Sequence, residues 1–223
     1  MPPANRRRRR NFDVNMPSVM PPESTPKART GFTIGKALPM SSKLRNGTIL
    51  LAEPFMLDKN FKRSAILLVE HNDQGSLGFI INHQVNMRVD ELVKDFPEFD
   101  APVYFGGPVA TDTVHYLHNK GELLDGSDEI ASGVYWGGDY EKLKVFVDQK
   151  LITPRDIRFF VGYSGWSENQ LEEELAGGSW VTAQMYPNYL FKSRPDKLWS
   201  QVMYNKGNTF RVIAGMSEEP SYN

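Results

Sequence analysis

The chain has 223 residues, 40% hydrophobic and 24% charged, an ordinary balance for a soluble globular protein. Its formal net charge is −1 and it has no cysteine, which excludes a disulfide framework, a thiolate metal site and a cysteine nucleophile. No apolar run approaches the roughly 20 residues that cross a bilayer, and the basic first residues lead into no apolar signal segment, so no membrane association is expected.

The small net charge hides an asymmetry. Residues 1–46 carry ten Lys and Arg against two Asp and Glu, and the remainder carries 16 against 25. An acidic body repels phosphate backbones, so DNA binding is possible but the body does not support it. Residues 1–30 are rich in Pro, Arg, Asn and Ser and show no apolar periodicity, and 1–43 are expected to form a disordered basic tail. Five consecutive arginines at 6–10 read as an electrostatic arm for nucleic acid or anionic lipid. The alternative is a solvated tail, or upstream sequence with Met16 or Met40 as the native start.

The folded domain is expected over 44–206, with 207–223 a C-terminal tail. A strand is predicted over 48–53 (TILLAE), ending at Pro54. The run 64–71 (SAILLVEH) is almost continuously apolar, as in a strand covered on both faces. A turn at 72–75 (NDQG) and a returning strand at 78–82 (GFIIN) complete a hairpin. A short helix is expected over 87–95, and strands over 103–105, 113–118 and 130–136. Asp139 is predicted to cap a helix reaching about Gln149, with Leu143, Phe146 and Val147 at helical spacing. A central strand over 157–161, a helix after it, a strand over 179–182 and a last helix over 195–205 follow. Hairpins outnumber strand–helix–strand units, which predicts the α+β class.

The stretch 162–166 (GYSGW) has part of a nucleophile elbow, a strand–turn–helix with Ser164 at its apex. Trp166 stands where that motif needs its second glycine. A helix start accounts for more: Ser167 as N-cap with Gln170 completing a capping box, Trp166 and Leu171 as a hydrophobic staple, Glu168 in the first turn and Gly177 at the end. Ser164 is left without a role. His115 and His118 are three apart on a predicted strand, so they face opposite ways, which argues against a metal pair. Glu70 and His71 form either an acid/base pair or a polar cap on the hairpin. Gly106-Gly107-Pro108 could shape an anion loop, but no nucleotide-binding motif accompanies it. The acids at 172–174 read as a solvated helix face. Arg63, entering a core strand, needs Asp58, Glu70 or an anionic ligand as partner.

Four segments in order resemble the AlgH/YqgE family: 49–82 (ILLAEPFMLDKNFKRSAILLVEHNDQGSLGFIIN), 105–109 (FGGPV), 116–118 (YLH) and 162–175 (GYSGWSENQLEEEL). The resemblance spans roughly 44–205. It implies a single compact α+β domain whose mixed, bifurcated β-sheet forms a pseudo-barrel with flanking helices, and a cytoplasmic protein of bacterial type. It supplies no established catalytic residues and no cofactor or metal; a role in transcriptional regulation has been proposed for some members. The polar positions that match its recurrent pattern are the candidate ligand-binding residues: Asp58, Arg63, Ser64, Glu70, His71, Asn82 and Tyr163. The chain departs from the pattern after Asn82, where His83 and Gln84 replace a basic residue and a proline, and in its long basic tail.

The leading functional expectation is a non-enzymatic regulatory or interaction protein whose polar cluster lines a pocket for a protein or small-molecule partner. The rival is a small hydrolase using Ser64 or Ser164 as nucleophile with His71, which requires serine, histidine and carboxylate in one cleft. A third is a structural role, signalled by no concave pocket beside Arg63 and Glu70.

Overall fold

Strands that are apolar on both faces need cover on both faces, and the two most apolar segments lie in mid-sheet. In the computed structural model these are β1 (Thr48–Ala52), wholly buried, and β2 (Ala65–Asn72), buried over its first five residues. The structure describes residues 44–207 together with 210 and 212; the tail 1–43 and most of 207–223 lie outside the described residues. β2 pairs antiparallel with β1 and with β3 (Gly75–Ile80), and Gly75 takes a φ of 142° at the turn.

The remaining elements are β4 (Gln84–Arg88), α1 (Val89–Leu92), β5 (Pro102–Phe105), β6 (Val109–His118), β7 (Ser127–Ala131), β8 (Val134–Gly137), α2 (Tyr140–Asp148), β9 (Ile157–Ser167), α3 (Gln170–Ala176), β10 (Trp180–Gln184), α4 (Pro187–Phe191) and α5 (Pro195–Asn205). The main path of the sheet is β10-β1-β2-β3-β9-β6-β8-β7, and β5 branches from β9 in parallel with β4 at its edge. The fork lies within β9. Residues 157–161 pair with β6, and 159–161 of them with β5 on the other side, whereas 164–167 pair with β3. Gly162, at φ 66°, sits between the two pairings. The sheet curls so far that a Cβ on Gly47, just before β1, would lie 2.6 Å from the Ile130 carbonyl of β7. This is a single-domain α+β pseudo-barrel with a mixed, bifurcated sheet.

Alternation along the strands separates three apolar cores. Ile49, Leu67, Phe79, Phe160 and Tyr163 fill the curl, which α5 closes with Leu198, Trp199, Val202 and Met203. Val89, Val103, Phe159, Leu143 and Val147 pack under α1 and α2. Leu50, Ile66, Ile80, Trp166 and Trp180 pack under Leu171 of α3. Among the described residues no helix is long and apolar enough to cross a membrane.

Several elements differ from expectation. The helix predicted over 87–95 is one turn long, and 84–88 is a strand. The strand predicted over 130–136 is a hairpin, turned at Gly133 with φ 72°. Ser167 does not cap α3; it ends β9, and Asn169 is the N-cap, left-handed at φ 60°. The Gln170 side chain still accepts from the Ser167 amide at 3.0 Å, so half of the predicted box forms around a strand residue. The left-handed glycine after α3 is Gly178, not Gly177. Asp139 caps α2 as expected, accepting from the Lys142 amide at 3.0 Å.

The acids at 172–174 are not all solvated. Glu174 turns inward, and its Oε2 accepts from the indoles of Trp166 at 3.0 Å and Trp180 at 2.7 Å. Its Oε1 accepts from the Gln170 amide at 3.0 Å. Glu174→Ala leaves both indole N–H groups without this acceptor and is expected to cost about 3 kcal/mol in urea unfolding. Glu174→Gln keeps an acceptor oxygen there and is expected to cost less than about 1 kcal/mol; equal losses in the two variants would refute the clamp.

Candidate functional site

The candidate residues fall at two ends of β2 and in the core between them. Seven strand steps of about 3.3 Å place Ser64 roughly 23 Å from His71. A Ser64–His71 dyad therefore does not form. Ser64 is fully buried and its Oγ has no hydrogen-bond partner. Ser164 is also fully buried, and its hydroxyl donates to the Gly106 carbonyl at 3.1 Å. The GYSGW stretch makes no elbow, because it continues β9 with Ser164 opposite Gly78 of β3. Neither serine is presented to a substrate.

At the start of β2 the polar residues shape the chain. Asp58 closes a turn, its Oδ1 accepting from the Asn60 amide at 2.8 Å and its carbonyl from the Lys62 amide at 2.8 Å. Arg63 is left-handed at φ 52°, and its guanidinium carbon lies 4.8 Å from the centre of the Trp199 ring on α5, a contact the sequence did not suggest. Asn82 bridges both sides of Ser64: Oδ1 accepts from the Ala65 amide at 2.7 Å and Nδ2 donates to the Arg63 carbonyl at 2.9 Å. Asn82→Ala strips these bonds from buried backbone and is expected to lower stability by about 3 kcal/mol. A denaturation midpoint equal to that of the unaltered protein would show that the bridge is not needed. His83 bonds to the backbone of Lys62, and burial lowers its pKa.

Tyr163 lies inside the curl, its ring edge-on to His115 at 6.1 Å, and burial pushes its phenol up. His115 is fully enclosed by Phe79, Trp136 and Tyr163, and burial lowers its pKa to about 4. The Thr113 hydroxyl donates to the Ala110 carbonyl, so it accepts from His115 Nε2, at 3.1 Å. In His118, Nε2 donates to the Gly137 carbonyl at 2.9 Å and Nδ1 accepts from the Lys120 amide at 3.1 Å. Both rings are neutral, and each is engaged in its own surroundings.

The other end of β2 opens to solvent. His71 Nδ1 bonds the Ser76 hydroxyl at 2.8 Å, and Nε2 lies 3.7 Å from Glu172 Oε1 of α3. Glu70 is not the carboxylate beside the ring; its Oε1 accepts from the Asn72 amide group at 2.9 Å. Adjacent strand residues face opposite ways, which separates Glu70 from His71. His71 opens onto a groove of about 560 Å³. Leu44, Arg45 and Asn46 form one wall, Asn72 and Asp73 of the hairpin a second, and Asn169 and Glu172 a third. Of the seven candidates only His71 lines it. The sequence carried no signal for Arg45, Asp73, Asn169 and Glu172, which are brought together by pairing of β3 with β9.

The curled, forked sheet places the chain among small single-domain α+β proteins. The chain belongs to the AlgH-like family, whose model matches residues 49–211. It is 43% identical to a UPF0301 protein of Chlorobium limicola, over 81% of this chain and 97% of that one. It is 35% identical to a UPF0301 protein of Cytophaga hutchinsonii, over 81% and 100%. The solution structure of the AlgH protein of Pseudomonas aeruginosa superposes with a TM-score of 0.62 at 28% identity, covering 82% of this chain and all of that one. A crystal structure of a Corynebacterium diphtheriae protein shares the fold, with a TM-score of 0.67 at 21% identity over 79% and 95%. The arginine-rich tail lies outside the family match.

Proposed function

We propose that the protein is a non-enzymatic regulatory or interaction protein of the cytoplasm that receives a partner in the groove at His71. The observation that carries this reading is the separation of parts: His71 opens on the groove, while both candidate nucleophiles are fully buried away from it. A role in transcriptional regulation is exerted through the partner, since a body with 25 acidic against 16 basic residues is a poor surface for DNA. Of the polar positions first singled out, Asp58, Arg63 and Asn82 act as supports of the β2 start, Ser64 and Tyr163 as core residues, Glu70 as a partner of Asn72 at the hairpin turn, and His71 as the binding end.

The test is a screen of ester and phosphate substrates with the unaltered chain and with Ser64→Ala, Ser164→Ala and His71→Ala. All four are expected to show the same background rate. Turnover that one of these substitutions abolishes would sink the non-enzymatic reading. Ser64→Ala removes a hydroxyl that makes no bond, so it is expected to change stability by less than about 1 kcal/mol and leaves the screen interpretable.

A further inference from the structure

We infer that the groove at His71 is the docking site of the chain's own arginine run, residues 6–10, held there in cis. This rests on the reading of the groove as a binding site and names its occupant. The groove's chemistry is that of a guanidinium receptor. Asp73 and Glu172 offer carboxylates, with Asn46 and Asn169 beside them, while the Asn72 amide oxygen already accepts from the Gln74 amide at 2.8 Å. A planar guanidinium with five donors meets such a set of oxygens better than a compact ammonium does. Glu172 is half exposed, and its Oε1 is 3.7 Å from His71, beyond hydrogen-bond length. Glu168 and Glu173, next in sequence to the groove residues Asn169 and Glu172, are both exposed. Arg45 is the fixed cation of the lining.

Position favours the same occupant. Leu44 and Arg45, where the described chain begins, are themselves part of the groove wall. The preceding residues are therefore joined to the body at the edge of the groove. Tethering at this wall makes the arginines at 6–10 an intramolecular ligand, so contacts weaker than a free peptide would need suffice. Charge completes the match: the basic residues of 1–46 outnumber the acidic ones ten to two, while the acidic residues dominate the body. The family model begins only at residue 49, so docking of the tail is a property added to the family's fold.

The test compares backbone amide NMR spectra of the full chain with those of a full chain in which all five arginines, 6–10, are replaced by serine. These substitutions lie outside the domain and leave its folding intact. The amides of Asn72, Asp73, Asn169 and Glu172 are expected to shift between the two proteins. The difference is expected to vanish near 1 M salt, where the Debye length is about 3 Å, and in an Asp73→Asn, Glu172→Gln background. A hexa-arginine peptide is expected to bind the serine variant roughly tenfold more tightly than the unaltered chain, which carries its own competitor. Superimposable spectra overturn the inference, and so do shifts that grow with protein concentration, which place the arginines in the groove of another copy. If added duplex DNA binds the full chain without moving the groove amides from their unaltered positions, the arm serves nucleic acid while the groove holds something else, and cis docking falls. Peptide binding without any tail effect overturns the inference alone. No response to the tail or the peptide overturns both the inference and its premise of a cation-receiving groove.

Discussion

A chain carrying Gly107→Ala is expected to unfold at a far lower urea concentration than the unaltered chain. Gly107 has φ 152°, and a Cβ there would lie 2.3 Å from both the carbonyl carbon and oxygen of Tyr163 and 2.4 Å from the Ser164 amide nitrogen. All three atoms are main chain, so no side-chain rotation relieves the clash. The crowding is mutual. A Cβ on Gly106 would lie 2.3 Å from the Gly162 carbonyl, and one on Gly162 would lie 2.6 Å from the Gly107 carbonyl and 2.7 Å from that of Val109. The three glycines are one crossing, where the entry to β6 lies against β9 with no side chain between them. β9 changes partners at the same place, so separating the two backbones disrupts both branches of the sheet. The cost is roughly 4 kcal/mol or more, comparable with the whole net stability of a small domain. Gly126→Ala is the control. It also has positive φ, 74°, but nothing lies within 4 Å of its added Cβ, so it is expected to cost about 1 kcal/mol. Urea unfolding followed by circular dichroism separates the two; similar midpoints would show that the crossing can open without penalty.

The glycines of this crossing show where the sequence was legible and where it was not. FGGPV and GYSGW could be recognised as family segments, but not as two halves of one contact, because their approach is long-range. The β2–β3 hairpin was readable, since an apolar run, a turn and a second apolar run are local signals. α5 was readable from Pro195 and its spacing of apolar residues. β4 was not: QVNMR alternates polar and apolar residues, but it is a short edge strand with little buried surface, and its second half also fits the start of the helix predicted over 87–95. Ser167 misled because Gln170 reaches its amide whether or not Ser167 belongs to the helix. Of the candidate site, His71 was legible at a strand end. Its neighbour Glu172 was not: three acids stand in a row, and only the seating of α3 sends Glu174 to the tryptophans and leaves Glu172 beside the imidazole. Asn82 and Ser64 looked like ligand residues because they are polar, yet one serves the backbone and the other is sealed in the core. A polar residue at a strand end is an equally good sign of a strained turn.

Stability is expected to fall steeply between pH 6.5 and about 4, and His115 is the residue to test. Its ring is enclosed by aromatic side chains, and burial lowers its pKa from 6.5 to about 4. Above pH 6.5 the imidazole is neutral in folded and unfolded chains alike, and it contributes no pH dependence. As pH falls through 6.5 the unfolded chain takes up a proton that the folded chain refuses, so the folded state loses ground. The loss is complete once pH is below the folded pKa and amounts to on the order of 3 kcal/mol, of which about 2 kcal/mol is felt by pH 5. Burial lowers His118 and His83 as well, so their contributions have the same sign. His115→Gln keeps an amide donor for Thr113 and cannot titrate. Unfolding free energies at pH 7.5 and 5.0 are expected to differ by about 2 kcal/mol less in this variant than in the unaltered chain. An equal pH dependence in the two proteins would mean that His115 opens to water before the fold does, and that the aromatic interior of the curl is not sealed.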